Sequence, residues 1–499
     1  MGESRRFDRR PRVVLVSMVV FFLLAGIARL YRLNAPGLLI DRDYTSAILA
    51  RSFYFEHTGS VEEWRREIAH ATKLNQPILE PPVTEFLASL IYRVVDGEHV
   101  WIARLLTSSF WLIGGVFVYK IAERVISTEA AVFGTAYYLF APLSILLSRS
   151  FQPGSLMMMT FLMSLFGVIR YYEEPSDFRL LTTACLSGLT LLHRPLVLFP
   201  LLGAFTALTL NQEDGWKRVI DRRFLIFIAV SLFPAVLYYG YGVLVAGFLR
   251  WKIETSFRPY LLLRWEFWKG WLDLAVYAVG YTALIGALIG ASMLAKGLPR
   301  ALVIGLGIGY VAFGLMFTMH IHTHGYYHAM LIPITAISFG PLVTLIANRS
   351  RQTSDRWYWW LPVVGALVLA MLFSFRQVRG RLSSHVFESA ETAREIGEIV
   401  NHSAEVVHLA PYYGLPLQYY GELTGAYWPR RITYWLYRRP DERELSVAQR
   451  LDALSFSPEY FVITNFDEFD KHHTDLKDFL IENCVLVAES DQYLIYRVD

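Results

Sequence analysis

Cysteine and charge are what this sequence has least of. Cys185 falls in an apolar run and Cys484 in the polar C-terminal part. The two are not placed to meet, so neither a disulfide framework nor a thiolate metal site is available. Lys, Arg, Asp and Glu make up only 18% of the 499 residues, against 54% hydrophobic and 15% aromatic. That balance excludes a soluble globular protein of this size and leaves a polytopic membrane protein held together by packing alone. A formal net charge of +3 says little until each Lys and Arg is given a side of the membrane. No internal repeat relates one half of the apolar region to the other, which argues against the inverted-repeat transporters.

Apolar runs of about twenty residues predict spans near 13–31, 100–121, 129–147, 154–172, 178–192, 196–211, 224–248, 271–294, 301–319, 326–346 and 357–375, about eleven in all. The stretch from Phe178 to Leu210 is divided at His193-Arg194-Pro195, because an interior Arg-Pro would break a single helix. The basic N-terminus and the apolar run behind it read as an uncleaved first span. With this count Arg5, Arg6, Arg9, Arg10 and Arg12 share a side with Lys120, Arg124, Lys217, Arg218, Arg222, Arg223, Lys296, Arg300, Arg349, Arg351 and Arg356. The positive-inside rule makes that side cytoplasmic. The opposite face receives loop 32–98, the turns Arg149–Pro153 and His193-Arg194-Pro195, loop 250–269, the turn His320–His324 and everything after about Arg376.

Within the first outer loop Val83, Phe86, Leu87, Leu90, Ile91, Val94 and Val95 recur at three and four residues. This is an amphipathic helix too short to span and suited to the membrane interface. Beyond Arg376 hydropathy falls. Helical patterns at Glu388–Val400, Leu445–Leu454 and Leu476–Ile481 alternate with apolar runs at Val406–Leu409, Tyr460–Thr464 and Cys484–Val487. A hairpin-like pair around Glu489–Gln492 ends in Tyr493–Tyr496. The alternation predicts a small outward α/β domain at 377–499 after a membrane domain at 1–376.

The residues with most chemical promise lie on the outer face. Asp41 and Asp43 stand just past the first span, and ionised groups beside hydrocarbon persist where they pair, hold a metal or move protons. The plainer reading is helix capping, for which Asp43 is well placed before a helix starting near Thr45 and Asp41 less so. Glu80, ahead of Pro81-Pro82, suits either a helix-start acid or a functional carboxylate. Arg250-Trp251-Lys252, Arg258-Pro259-Tyr260, Arg264-Trp265 and Trp268-Lys269 interleave cations with aromatics. Such a segment fits a lipid phosphate, or an interfacial belt with snorkelling cations. His320, His322, His324 and His328 lack an acidic neighbour and make a poor zinc set. No metal site is assigned, and a divalent cation is left open as the one conceivable cofactor. Arg104 and Arg194 lie near span ends, where phosphate and helix-end carbonyls are both available partners.

Arg29-Leu30-Tyr31-Arg32-Leu33, then Arg42 through Ala50-Arg51-Ser52-Phe53-Tyr54 and Gly59, then Glu80-Pro81-Pro82, Asp96-Gly97 and Arg104-Leu105 follow one another in a familiar order. The pattern resembles the membrane glycosyltransferases of the GT-C fold, in the branch that includes protein O-mannosyltransferases and lipid A aminoarabinose transferases. The likeness continues through Ser148–Pro153, His193-Arg194-Pro195, and His324-Gly325-Tyr326-Tyr327 with Pro333 behind it. It implies a GT-C membrane domain with an extracytoplasmic α/β domain and a donor sugar linked through phosphate to a polyprenol. It also implies a site at the outer leaflet, and inversion at the anomeric carbon as a lipid, glycan or protein acceptor attacks. An acid of the first outer loop, Asp41, Asp43 or Glu80, is expected as the base. Arg42, Lys73, Arg104, Arg149, Arg194, Arg258, Arg264, His324, Tyr326 and Tyr327 are the candidates for donor phosphate and sugar.

Three departures bear on those roles. Relatives commonly place Asp where this chain has Thr45, some have Lys where it has Pro81, and many read Asp after the proline where it has Gly154. Lys73 and Glu80 are the residues that could compensate. Compact length without an organelle signal points to a prokaryotic plasma membrane, with the N-terminus cytoplasmic and no nucleic-acid partner. Readings from other classes are a transporter or flippase of lipid-linked sugars and a non-catalytic scaffold. The long first loop, and the few acidic or broken positions near mid-bilayer, favour the enzyme.

Overall fold

The computed structural model describes residues 10–35, 38, 41–353, 361–383, 387–431 and 445–498. Helices stand at each predicted span: Arg10–Leu30, Val100–Val125, Thr128–Phe140 with Pro142–Arg149, Gly154–Glu173, Asp177–His193, Leu198–Leu210 and Arg222–Gly240. They continue with Trp265–Val279 and Tyr281–Ser292, Leu298–Met316, the run 325–350 and Leu361–Ser383. By length and apolarity, six described helices can each cross a membrane, or up to eight if two bent pairs count as single spans. The expected count of about eleven is not confirmed. Asp177–His193 has 17 residues and Leu198–Leu210 has 13, fewer than the roughly twenty that cross a ~30 Å core. Part of the predicted 357–375 span lies outside the described residues, as do Arg5, Arg6, Arg9 and Arg356 of the basic clusters.

The breaks have local causes. Helix Asp177–His193 stops at an extended Arg194, φ −156°, and Pro195 opens a single 3-10 turn, because a residue before proline is driven out of the helical region. Pro142 begins the second half of a span bent by 58°, and Gly280, at φ +84°, turns another by 92°. Leu23, Phe233, Leu288, Ile308 and Leu369, all on these helices, are 61 to 68% exposed. Such a surface is costly in water and at home in lipid. The chain is a multi-pass membrane protein.

Helix Leu198–Leu210 meets helix Leu298–Met316 backbone to backbone. A Cβ on Gly305 would sit 2.3 Å from the Gly203 carbonyl oxygen, and one on Gly309 2.3 Å from that of Phe199. Only glycine permits this approach. Gly305→Val should therefore force the pair apart at a cost of about 1–3 kcal/mol. The check is the thermal midpoint of the protein in detergent, and an unaltered midpoint would contradict the contact.

Loop 32–98 folds into helices Asp41–Phe55, Glu63–Leu74 and Val83–Val95. The last is inside out by the standard of a soluble protein. Thr84, Glu85, Ala88, Ser89 and Tyr92 are buried, while Phe86, Leu90, Val94 and Val95 are exposed. Ser46 Oγ donates to Glu85 Oε1 at 2.6 Å, which ties the polar face to helix Asp41–Phe55. The apolar residues are left on the exposed face.

The C-terminal part contains the expected sheet. Strands β1 (Val406–Leu409), β2 (Gly425–Tyr427), β3 (Tyr460–Ile463), β4 (Cys484–Glu489) and β5 (Leu494–Val498) lie in the order β2-β1-β3-β5-β4. β1 pairs parallel with β2 and β3, and β5 runs antiparallel to β3 and β4. Helices Phe387–Ile399, Val447–Asp452 and Thr474–Asn483 match the predicted patterns. The three-residue β2 is too short to show a period, and helix Leu415–Tyr420 was likewise not predicted.

This sheet domain is seated on the first loop. Arg51 Nε bonds Glu98 at 2.8 Å, the Tyr419 hydroxyl donates to the same carboxylate at 2.6 Å, and Arg65 Nε reaches Glu422 at 2.6 Å. Gln76 Nε2 donates to Gln418 Oε1 at 2.7 Å. Trp64 stacks on His402 with ring centroids 4.4 Å apart.

Candidate functional site

Helix Asp41–Phe55 starts four residues earlier than the sequence suggests, at Asp41 itself. Asp43 therefore does not cap it. The side chain lies in the first turn, fully buried, and accepts from Ser150 Oγ. A positive helix end suits both acids, but they face different surroundings. Asp41 is half-buried, and burial raises its pKa above the usual carboxylate range, opposed by a backbone amide and by the nearby Arg430 guanidinium.

From Asp43 a chain of hydrogen bonds crosses the turns at one end of the helices. Gln152 Nε2 donates to Ser150 Oγ at 2.9 Å, and Arg194 donates to Gln152 Oε1 at 3.3 Å. Arg194 Nε also donates to Glu80 Oε1 at 3.1 Å, and Arg42 donates to Glu80 Oε2 at 2.5 Å. Arg194 and the helix-start Arg42 thus meet on Glu80, with Gln152 joined through Arg194, and the Arg42, Glu80 and Arg194 side chains are only 16, 10 and 8% exposed. Charge-assisted bonds of this kind are the strong ones in a site shielded from water.

Three more groups close around it. Arg194 lies over the Tyr326 ring at 5.7 Å, Tyr326 sits 4.5 Å from Tyr327, and His324 lies 5.5 Å from Tyr326. Lys252, in helix Arg250–Ser256, faces the same cluster. Burial pulls its pKa down to about 8, with Glu80 opposing and Arg194 and Arg42 reinforcing the fall. Ser256 Oγ bonds His320 Nε2 at 3.0 Å, and the Arg258 amide donates to Thr318 Oγ1 at 2.8 Å. These two bonds hold the cation-rich segment against the histidine turn.

Other predicted residues are placed elsewhere. Lys73 pairs with Glu56. Arg104 donates to the Leu33 and Ala35 carbonyls at 2.7 and 2.5 Å, and Arg149 to those of Tyr31 and Arg32 at 2.6 and 3.2 Å. Both guanidiniums satisfy the chain as it leaves the first span, the structural alternative for cations at span ends. Arg264 is exposed, 6.0 Å over the Tyr260 ring. Ser150 and Gln152 stood in recognised motifs without a role, and Lys252 was read only as one cation of the segment that interleaves cations with aromatics. Glu85 gave a fainter signal, as an acid on the polar side of an amphipathic helix.

Both Glu80 oxygens accept from guanidiniums and Asp43 Oδ1 accepts from Ser150, which leaves these three oxygens engaged by the protein itself. The histidines are spread over local partners: His322 on Thr318 O at 2.7 Å, His324 on Thr323 at 2.6 Å, His328 between Tyr310 and Ile321 at 2.7 and 2.8 Å. Among the described residues no three His, Cys, Asp or Glu form a metal-binding group.

A helical membrane domain whose turns converge on carboxylates at one face, with a small sheet domain seated there, has the architecture of the GT-C membrane glycosyltransferases. Residues 79–239 match the model of a family described as dolichyl-phosphate-mannose-protein mannosyltransferase. ArnT from Cupriavidus metallidurans bound to undecaprenyl phosphate is similar at a TM-score of 0.62 with 14% identity, over 96% of this chain and 97% of that one. The Archaeoglobus fulgidus oligosaccharyltransferase tethered with an acceptor peptide is similar at a TM-score of 0.62 with 10% identity, over 91% and 69%. The archaeal oligosaccharyltransferase AglB from Archaeoglobus fulgidus, in complex with an inhibitory peptide and a dolichol-phosphate, gives a TM-score of 0.56 at 11% identity, over 92% and 70%. No curated protein matches in sequence.

Proposed function

We propose that the chain is an inverting glycosyltransferase that moves a sugar from a polyprenyl-phosphate donor to an acceptor at the extracytoplasmic face of a prokaryotic plasma membrane. One observation carries this reading: Arg42, from the helix that bears Asp41, and Arg194 both pair with a single carboxylate, Glu80, and Lys252 lies within electrostatic reach of it. When the anomeric carbon–oxygen bond breaks, the donor phosphodiester leaves as a phosphate monoester and gains negative charge. Cations already in place stabilise that charge where it develops. Asp41, half-buried and raised in pKa, is the base that takes the acceptor proton as the new bond forms. The exposed apolar side of Val83–Val95 offers the polyprenol tail a lipid-facing surface. The lipid phosphates named for the ArnT and AglB structures support a donor of this class. The division between membrane and sheet domains falls at about residue 376.

Sugar release from a panel of radiolabelled polyprenyl-phosphate sugars, by the purified protein in lipid, tests the proposal. Turnover of one donor is the expected result. A bound polyprenyl phosphate with no donor turned over would instead favour a carrier or a scaffold.

Lys252 adds a pH dependence. Its ammonium is protonated below about 8 and neutral above, so affinity for undecaprenyl phosphate should fall as pH rises through that value. Lys252→Arg, charged throughout, should flatten the profile between pH 7 and 10. An equally steep decline in the Arg variant would remove Lys252 from the phosphate site.

A further inference from the structure

The turn Pro411–Gly414, at the end of β1 in the sheet domain, is strained without an evident structural return. Tyr412 and Tyr413 both adopt left-handed conformations, φ 53° and 57°, and Gly414 follows at φ 70°. Gly414 has a reason, since a Cβ there would meet the buried His408 ring at 2.1 Å. The tyrosines do not, for their rings are 51 and 41% exposed, and glycine would make the same turn without the steric cost. Strain held at an exposed aromatic pair directs attention to what the rings touch.

Their surroundings lead back to Asp41. The Tyr413 ring lies 5.2 Å from that of Tyr427, and the Tyr427 hydroxyl accepts from the Arg430 amide at 3.4 Å. The Arg430 guanidinium is within electrostatic reach of Asp41, and its buried Nε has no hydrogen-bond partner among the described residues. Tyr412 is in turn an electrostatic neighbour of Tyr44, whose ring packs 6.0 Å from that of Tyr420. Two exposed rings and the Arg430 guanidinium therefore lie near the first turn of helix Asp41–Phe55.

We infer that Tyr412, Tyr413 and Arg430 form the acceptor subsite and that its ligand is a saccharide. A pyranose presents an apolar C–H face that lies flat on an aromatic ring, while its hydroxyls, or an acidic substituent, meet a guanidinium. The same headgroup can belong to a soluble glycan or a glycolipid. This assignment rests on the transferase reading for its meaning, but its test does not depend on turnover.

Saturation-transfer NMR on the full chain in nanodiscs would use soluble oligosaccharides of neutral hexose, N-acetylhexosamine and uronic acid. A second arm would place a glycolipid with the same headgroup in the disc. Native protein should bind at least one probe, and the arm that binds identifies the source. Tyr412→Gly/Tyr413→Gly should weaken that binding at least tenfold while thermal stability holds or rises, because the change removes strained residues rather than core contacts. Tyr412→Phe/Tyr413→Phe should restore it, and affinity for undecaprenyl phosphate should not change in either. The inference is overturned if the native chain binds no saccharide, if the glycine variant binds as well as native, or if only a Ser/Thr peptide is bound at this turn. Should no polyprenyl-phosphate sugar be turned over while the saccharide signal still depends on the tyrosines, the transferase reading fails and the subsite stands.

Discussion

Asp41→Asn is expected to lower sugar transfer by about 100- to 10,000-fold, the usual contribution of a positioned general base, with undecaprenyl phosphate binding little changed. The amide keeps the shape of the side chain and removes its ability to take a proton. Of the two acids on this helix, Asp41 is the half-buried one and Asp43 is fully buried against Ser150. An acceptor hydroxyl can approach the first but would have to displace a hydrogen bond to reach the second. Asp43→Asn should therefore act through geometry, by loosening the Ser150–Gln152–Arg194 chain, with a loss of about tenfold or less. Since burial raises the Asp41 pKa, transfer should fall with decreasing pH at values above the range of an ordinary carboxylate, as the base becomes protonated. Rate measurements on both variants across pH decide the matter. Abolition by Asp43→Asn together with normal turnover by Asp41→Asn would reverse the assignment.

The turns that build the site were legible in the sequence because each carries an anomaly that hydropathy does not explain. Glu80-Pro81-Pro82, Ser150 to Pro153, His193-Arg194-Pro195 and His324 to Tyr327 interrupt apolar surroundings, and the structure brings residues from all four together. The amphipathic helix at Val83–Val95 was legible for the same reason, since its period shows a polar side. What could not be read was which partner each cation takes. Arg194 reaches Glu80, while Arg104 and Arg149 turn to backbone carbonyls, although all three stand near span ends. Lys73 is drawn to Glu56, 17 residues away in the chain. The choice depends on how loop 32–98 packs on the spans and on the sheet domain, and hydrophobic periodicity carries no record of that packing. The span count is not confirmed, because helices such as Asp177–His193 and Leu198–Leu210 stand where the apolar runs predict them but are shorter than a full crossing requires.

Glu80→Gln should have the second large effect, with opposite signs for binding and turnover. Glu80 is the one carboxylate directly bonded to both Arg42 and Arg194, and Lys252 lies close enough to be influenced by it. Neutralising Glu80 leaves these cations facing one another where side chains are at most 16% exposed. Breaking a buried ion pair from one side typically costs about 3–5 kcal/mol, so the ligand-free protein should lose much of its stability. A phosphate monoester would then supply the missing negative charge. Free undecaprenyl phosphate should bind about tenfold or more tightly than to the native chain and restore stability by mass action. Turnover should fall, because the product is retained and the cations are no longer oriented for the donor. Glu80→Gln combined with Arg194→Gln should destabilise by less than the sum of the two changes, as expected for groups in direct contact. Thermal midpoints with and without undecaprenyl phosphate, alongside kcat, test this directly. If Glu80 is instead the base, its glutamine variant would lose turnover while lipid phosphate affinity and ligand-free stability stay near native, and the charge-balancing role assigned to Glu80 would have to be given up.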